Sequence, residues 1–286
     1  MQEFPDFHTA FHHILGNLLT VDNSVDGVLS SHSVGSKFGD VSRSTREILA
    51  HTFTITNPRN RILPCRNMDE RYAIANFFWT MAGDSNPEAI IHYNPHGKAF
   101  LEDSELKCAI PERLANGLGG SQLEDAIRRL KLDPSSRRAL VTFARPEDIY
   151  NDALDFPCPS TMQFLVRDNK LTAIVTMRSQ SAYGVMPYDV YLFTLIQEAV
   201  AFELGIELGE YIHFSGSIHL YEDEVAKATN LMQCEHQSVE QMVRMTGTSP
   251  ISDLSLLEAE LQVRTTNSFD PTGSAYWDDL ISTLQS

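Results

Sequence analysis

The chain has 286 residues, 42% of them hydrophobic and 9% aromatic, enough to bury one large core or two small ones. Acidic residues outnumber basic ones 38 to 22, and the formal net charge of −16 argues against a nucleic-acid polymer as partner, because a phosphate backbone is recognised through clustered Lys and Arg. A mononucleotide needs only a few local cations, and no run of about 18 apolar residues predicts a membrane-spanning helix.

The N-terminus has no basic segment and no small-residue cleavage site, so it does not read as a secretory signal. Phe7, Phe11, Ile14 and Leu18 share one helical face, and the first 30 or so residues read as an amphipathic helix followed by polar chain. Residues 31–47 are rich in Ser and Gly and read as a loop. ILAHTFTITNP (48–58) has strand composition and is stopped by Asn57-Pro58. From Asp69 to Met81, YAIANFFWTM supplies an apolar run that reads as a buried helix ending at Gly83, and residues 84–120 read as irregular. Residues 121–133 form an amphipathic helix with Ser121 as N-cap and Glu124 three residues on. Strand patterns follow at 139–144, 161–168 and 171–179, the last two joined by an Asp168-Asn169 hairpin turn. Residues 189–205 form a long apolar helix closed by Gly205, with Asp189 placed as its N-cap, and 210–221 is another strand. The last 60 residues mix helix and polar loop, with an exposed linker expected at 267–274. Strands and helices do not alternate regularly, which predicts an α+β fold.

Four widely spaced cysteines, with no CxxC and no His at metal-ligand spacing, argue against a zinc site and against disulfides. Reduced thiols in a cytoplasmic protein are the default expectation, with no metal.

The chemistry concentrates between Pro134 and Val225, in PSSRR (134–138), FPCPSTMQF (156–164), MRSQSAYGVMPYDVY (177–191) and HFSGSIHLY (213–221). Over these roughly 90 residues the chain resembles thymidylate synthase; a weaker likeness covers 51–62 and 77–86, and residues 227–286 diverge. The resemblance implies a mixed β-sheet packed with helices, a single domain over 1–286 and a sheet-to-sheet homodimer. It also implies a pyrimidine nucleoside monophosphate as substrate and 5,10-methylenetetrahydrofolate as one-carbon donor.

A pyrimidine C5 is a poor nucleophile until a thiolate adds at C6. Such a site needs an accessible cysteine of lowered pKa, a phosphate clamp of planar Arg, and a group that reads the ring at N3 and C4. By resemblance, Cys158 between two prolines is the nucleophile and Gln163 lies in the same site. Arg178 and Ser179 hold the phosphate, and Arg137 and Arg138 reach it from the partner subunit. A third phosphate cation falls among Lys37, Arg43 and Arg46. His219 and Tyr221 hold a sugar hydroxyl.

Departures from the family pattern are as telling. Asp189 replaces the Asn that pairs with uracil, and resembles the (deoxy)cytidylate 5-hydroxymethylases, because an acid can accept from a cytosine amine. Ser181 replaces an Asp and points the same way. Asn76 stands where the family has a proton-shuttling Glu, Pro159 follows the nucleophile in place of His, CAIPERL (108–114) replaces a Tyr-Gly segment, Val185 replaces a folate-lining glycine, and no C-terminal lid is recognisable. A (deoxy)cytidylate hydroxymethylase is the leading expectation. The alternatives are a folate-independent enzyme using Cys158, a catalytically silent nucleotide-binding relative, and simple methylation of cytidylate or uridylate.

Overall fold

The computed structural model describes residues 2–21, 24–25, 44–83, 85–117, 120–150, 153–234 and 241–285. The first half holds β1 (Gln2–Phe4), α1 (Phe7–Thr20), β2 (Ser24–Val25), β3 (Thr45–Ile55), α2 (Glu70–Ala82), α3 (Glu88–Tyr93), α4 (Ile110–Ala115) and α5 (Gln122–Leu132). Then come β4 (Leu140–Thr142), β5 (Pro159–Arg167), β6 (Lys170–Met177), β7 (Gln180–Ser181), α6 (Met186–Leu204), β8 (Glu207–Tyr221), α7 (Val225–Met232), α8 (Ser255–Thr266) and α9 (Ala275–Ser282). The strands make one mixed sheet in the order β1-β3-β8-β6-β5-β4, with β2 on β3 and β7 on β8. The architecture is α+β, as the irregular order of elements predicts.

Side-chain alternation along the strands decides where the helices go. Leu171, Ala173, Val175 and Met177 on β6 and Tyr211 and His213 on β8 are all fully buried on one face. α6 lies against this face and is buried almost all round. Its Gln197 Nε2 donates to the carbonyls of Leu171 (2.8 Å), Gly209 (3.3 Å) and Glu210 (2.9 Å), so the helix is pinned by hydrogen bonds as well as packing. The opposite face carries Thr161, Gln163, Thr172, Ile174, Thr176, Ile212 and Phe214, all half-buried in the single chain. The C-terminal helices share the main core, with Leu231, Val263, Trp277 and Ile281 in the same apolar cluster as α6.

Several local expectations hold. Asp168 (φ 49°) and Asn169 (φ 58°) make the two-residue turn between β5 and β6, since both central positions need positive φ and Asp and Asn tolerate it. Ser121 caps α5 through Glu124 N, and Gly205 ends α6 at φ 66°.

Others are corrected. The opening helix stops at Thr20 and is preceded by β1, which pairs parallel with Phe53–Ile55. The strand expected at 48–58 spans Thr45–Ile55, because β8 offers it partners down to Tyr221. Residues 84–120, read as irregular, contain α3 and α4. The segment 267–274 is largely exposed, as expected, but it is tied down at its end: Thr272 bonds the Asp278 carboxylate, and Ser274 is buried and donates to Thr246 O. α6 starts at Met186 with Pro187 in its first turn, where a fixed φ suits a helix, so Asp189 is not the cap.

The cysteine expectation is also overturned. Cys65, in the short turn Pro64–Arg66, is disulfide-bonded to Cys234 beyond α7, while Cys108 and Cys158 are free. Spacing along the chain carries no information about a pair 169 residues apart whose Cα atoms the fold brings to 6.3 Å. Closing so long a loop restricts the unfolded chain, so full reduction should lower stability by about 2–5 kcal/mol. Denaturant midpoints with and without reductant measure it; Cys65→Ser should match the reduced protein and no longer respond to reductant. Among the described residues no helix is long and apolar enough to cross a membrane.

Candidate active site

Cys158 sits in the bend that feeds β5, between Pro157 and Pro159. Its carbonyl accepts from Arg178 N (2.8 Å), which joins the bend to the end of β6. Arg178 folds back over it: Nε donates to Pro157 O (2.9 Å), the guanidinium to Phe156 O (3.1 Å), and the charge lies 4.7 Å from the centre of the Phe156 ring. These bonds use two of five N–H donors, and the others remain for an anion. The approach depends on Gly216 of β8, where a Cβ would stand 3.0 Å from Arg178 O.

Burial pushes the Cys158 thiol up, and the Asp189 carboxylate adds to this, while Arg178 pulls it down. The expectation of a lowered thiol pKa is therefore not met in the resting site, because desolvation outweighs the single nearby cation. The thiol is protonated at neutral pH, and attack requires that its proton be removed.

Asp189 stands in the first turn of α6, its N–H bonded to Val185 O (3.1 Å). The side chain points back to β7, where Gln180 Nε2 donates to Oδ2 (2.8 Å). Burial raises its pKa to about 6, with Gln180 opposing the rise. The carboxylate acts on three other groups besides: Cys158, Tyr72 of α2 and Tyr211 of β8. Burial raises Tyr72 to about 12, and Tyr72 packs edge-on against Tyr188 at 4.9 Å. Tyr211 is buried and bonds His213 Nδ1 (2.9 Å); burial holds His213 neutral, near 3. The fold thus gathers a thiol, a carboxyl that titrates near neutrality, and two tyrosines around the start of α6.

Other expected residues fall on the same side. β7 runs parallel to β8 with Ser181 opposite His219, and Ala182 N donates to His219 O (2.8 Å). His219 and Tyr221 are two apart on β8, so they share a face, with rings edge-on at 5.0 Å. Ser179 follows Arg178 and is half-buried. Asn76 is on α2, one turn beyond Tyr72 on the same face, and half-buried.

Three groups are placed elsewhere within the chain. Gln163 donates to Arg137 O (2.9 Å) from the open face of the sheet. Arg137 and Arg138 are exposed and line a cavity of about 910 Å³ with Arg128, Arg129 and Arg167, apart from Cys158. Arg46 is committed to Glu222 (2.9 Å) and Leu19 O (2.7 Å). Lys37 and Arg43 lie outside the described residues. Among the described residues no group of three or more His, Cys, Asp or Glu side chains is placed to hold a metal ion.

A profile of the family described as thymidylate synthase matches residues 41–263. This chain belongs to the thymidylate synthase family. Thymidylate synthase of Listeria monocytogenes serotype 4a is 33% identical over 140 residues, 49% of this chain and 44% of that protein. Deoxyuridylate hydroxymethyltransferase of Bacillus phage SP01 is 31% identical over 218 residues, 69% of this chain and 57% of that protein. The chain thus spans less than half the length of the Listeria relatives it matches. Thermostable thymidylate synthase A from Bacillus subtilis superposes with a TM-score of 0.67 at 21% identity, over 81% of this chain and 86% of that one, which establishes the fold.

Within this thymidylate synthase fold, sequence reading missed Gln180, Tyr72 and Tyr211. Gln180 lay inside the strongest motif, one residue from Ser181, but nine residues separate it from Asp189 and no local pattern pairs the two. Tyr72 and Tyr211 carry no local signal, because each meets Asp189 only through packing of α2 and β8 against α6.

Proposed function

We propose that the protein is a one-carbon transferase acting at C5 of a pyrimidine nucleoside monophosphate, specifically a (deoxy)cytidylate 5-hydroxymethylase. The observation that carries this reading is the pairing of a free thiol with a half-buried carboxyl whose pKa desolvation raises to about 6, beside an arginine with donors to spare. A desolvated carboxyl without a cation partner costs stability, which marks it for a ligand. The phage relative named for hydroxymethyl transfer supports the product class.

Cys158 Sγ adds to C6, and C5 gains enamine character. Arg178 and Ser179 take the phosphate, joined by Arg137 and Arg138 of a second subunit docked on the open sheet face. His219 and Tyr221 hold the sugar. Asp189 accepts from the C4 amine, and its pKa suits it to exchange a proton at neutral pH, a role Asn76 cannot fill. A methylenetetrahydrofolate donor supplies a one-carbon unit at the oxidation level of formaldehyde. The residues fit such a group only in part: Val185 is 47% exposed at the turn between Ser181 and Asp189 and would offer it apolar surface, but it stands where the family carries a folate-lining glycine. With the one-carbon unit on C5, loss of the C5 proton and of its carrier would leave an exocyclic methylene while Cys158 is still on C6. Water in place of hydride would add to that methylene and the returning electron pair would expel Cys158, leaving a hydroxymethyl group, and Ser181, in place of an Asp, agrees with that outcome.

The test is C5-tritiated CMP, dCMP, UMP and dUMP with and without methylenetetrahydrofolate. Folate-dependent tritium release from a cytidylate, with a hydroxymethyl product by mass spectrometry, is expected. Release without folate would point to a folate-independent enzyme, and tight binding with no release to a nucleotide-binding relative without chemistry.

A further inference from the structure

Gln180 is 1% exposed and stands on β7, held in register with Ile218 of β8. One end of its amide is committed, Nε2 to Asp189 Oδ2 at 2.8 Å. The other end, Oε1, is buried without a hydrogen-bond partner among the described residues. A buried acceptor left unpaired is costly, and a donor on a bound ligand would relieve that cost.

A carboxyl alone is a poor judge of pyrimidines. As a neutral acid it offers one donor and one acceptor, and either oxygen can carry the proton. It can accept from the amine of cytosine and donate to N3, or donate to the O4 of uracil and accept from N3–H. A donor fixed on Oδ2 removes this freedom, because it keeps Oδ2 an acceptor whether or not Oδ1 carries a proton. Next to it stands Oε1, a second acceptor. An exocyclic amine has two N–H groups for two acceptors, whereas a carbonyl oxygen has none.

We infer that Gln180 is the specificity-determining partner of Asp189, holding Oδ2 as an acceptor and presenting Oε1 beside it, so that the site takes a pyrimidine with an amine at C4 and rejects one with a carbonyl. This rests on the proposed reading of the base by Asp189. Gln180 positions and polarises Asp189 whatever role it has in contacting the ring. The titratable groups acting with the same carboxyl are Cys158 before β5, Tyr72 on α2 and Tyr211 on β8. No cation is among the groups that shift it, so Gln180 is the group that counters the effect of burial.

The experiment compares kcat and KM for dCMP, CMP, dUMP and UMP from pH 5 to 8.5 in the wild type, Gln180→Met and Asp189→Asn. Methionine keeps the volume and removes both amide atoms. Gln180→Met should cut the preference for cytidylate over uridylate about tenfold or more, chiefly through KM, the change expected when a charge-assisted hydrogen bond is lost. The pH dependence of KM should move to higher pH, because Asp189 is then harder to ionise. Gln180→Asn, whose amide is one methylene too short to reach, repeats the test should the methionine variant fail to fold. An unchanged base preference and pH profile in a folded Gln180 variant, with Asp189→Asn altering the preference, would overturn the role of Gln180 alone. An unchanged preference in Asp189→Asn as well would overturn the reading on which it rests.

Discussion

Replacing Cys158 with serine is expected to reduce tritium release from C5 by about 10³-fold or more while nucleotide binding persists. The alcohol is isosteric enough to leave the bend between Pro157 and Pro159 in place, but it does not ionise near neutral pH. Arg178 keeps its bonds to the backbone carbonyls of residues 156 and 157, which do not involve the sulfur, so the phosphate grip remains. Loss of binding along with turnover would mean that the thiol serves the fold. The same variant tests the shared site. Mixed with Arg137→Ala/Arg138→Ala protomers, each inactive alone, it should recover about a quarter of wild-type activity on statistical pairing, since one site in each mixed dimer then has both its thiol and its arginines. No recovery would show that the two arginines serve no partner site.

Asp189→Asn is expected to move base preference from cytidylate toward uridylate by about a hundredfold or more, the size of effect when a buried recognition group meets a mismatched edge. The amide can present its N–H₂ toward O4, with Gln180 turning over so that Oε1 accepts from it. The turn is open because Oε1 has no other partner among the described residues. A second readout is stability. The Asp189 carboxyl is raised to about 6, above its ordinary 3.8, so the fold favours the protonated form. The ionised form costs stability, a cost that grows as pH rises from 4 to 6 and is complete above 6. Asp189→Asn should therefore stabilise the protein at pH 7 by on the order of 1–3 kcal/mol and have little effect below about pH 4. Denaturant unfolding at the two pH values checks this. Equal stability at pH 7 would mean that the carboxyl is not strained by burial.

Much of this protein was legible because its motifs are local. The PCPS bend, the RSQS segment, the Asp-Asn turn and Gly205 each declare their conformation within a few residues. Their chemistry depends on side-chain types that do not change on folding. Cys158, Arg178, Asp189 and His219 could therefore be singled out on the sequence alone, and the mixed α+β class was legible there too. What failed to be legible depends on distant pairing. The extra parallel strand β1 exists only because β3 has a free edge. The helices at 88–93 and 110–115 are too short for a periodic pattern to separate from turns. Asp189 was mistaken for a cap because its residue type suits both roles, and only the position of Pro187 in the first turn distinguishes them.

The amino-acid order by itself determined which groups are available: a cysteine between two prolines, a set of arginines, and an acid where an amide would suit uracil. Tertiary structure decided their state. It half-buried Cys158 and raised its pKa against expectation, set Gln180 on Asp189, and closed Cys65 onto Cys234 across 169 residues. The physical reason is that side-chain chemistry is a property of one residue, whereas desolvation, hydrogen bonding and proximity are properties of neighbours the fold supplies.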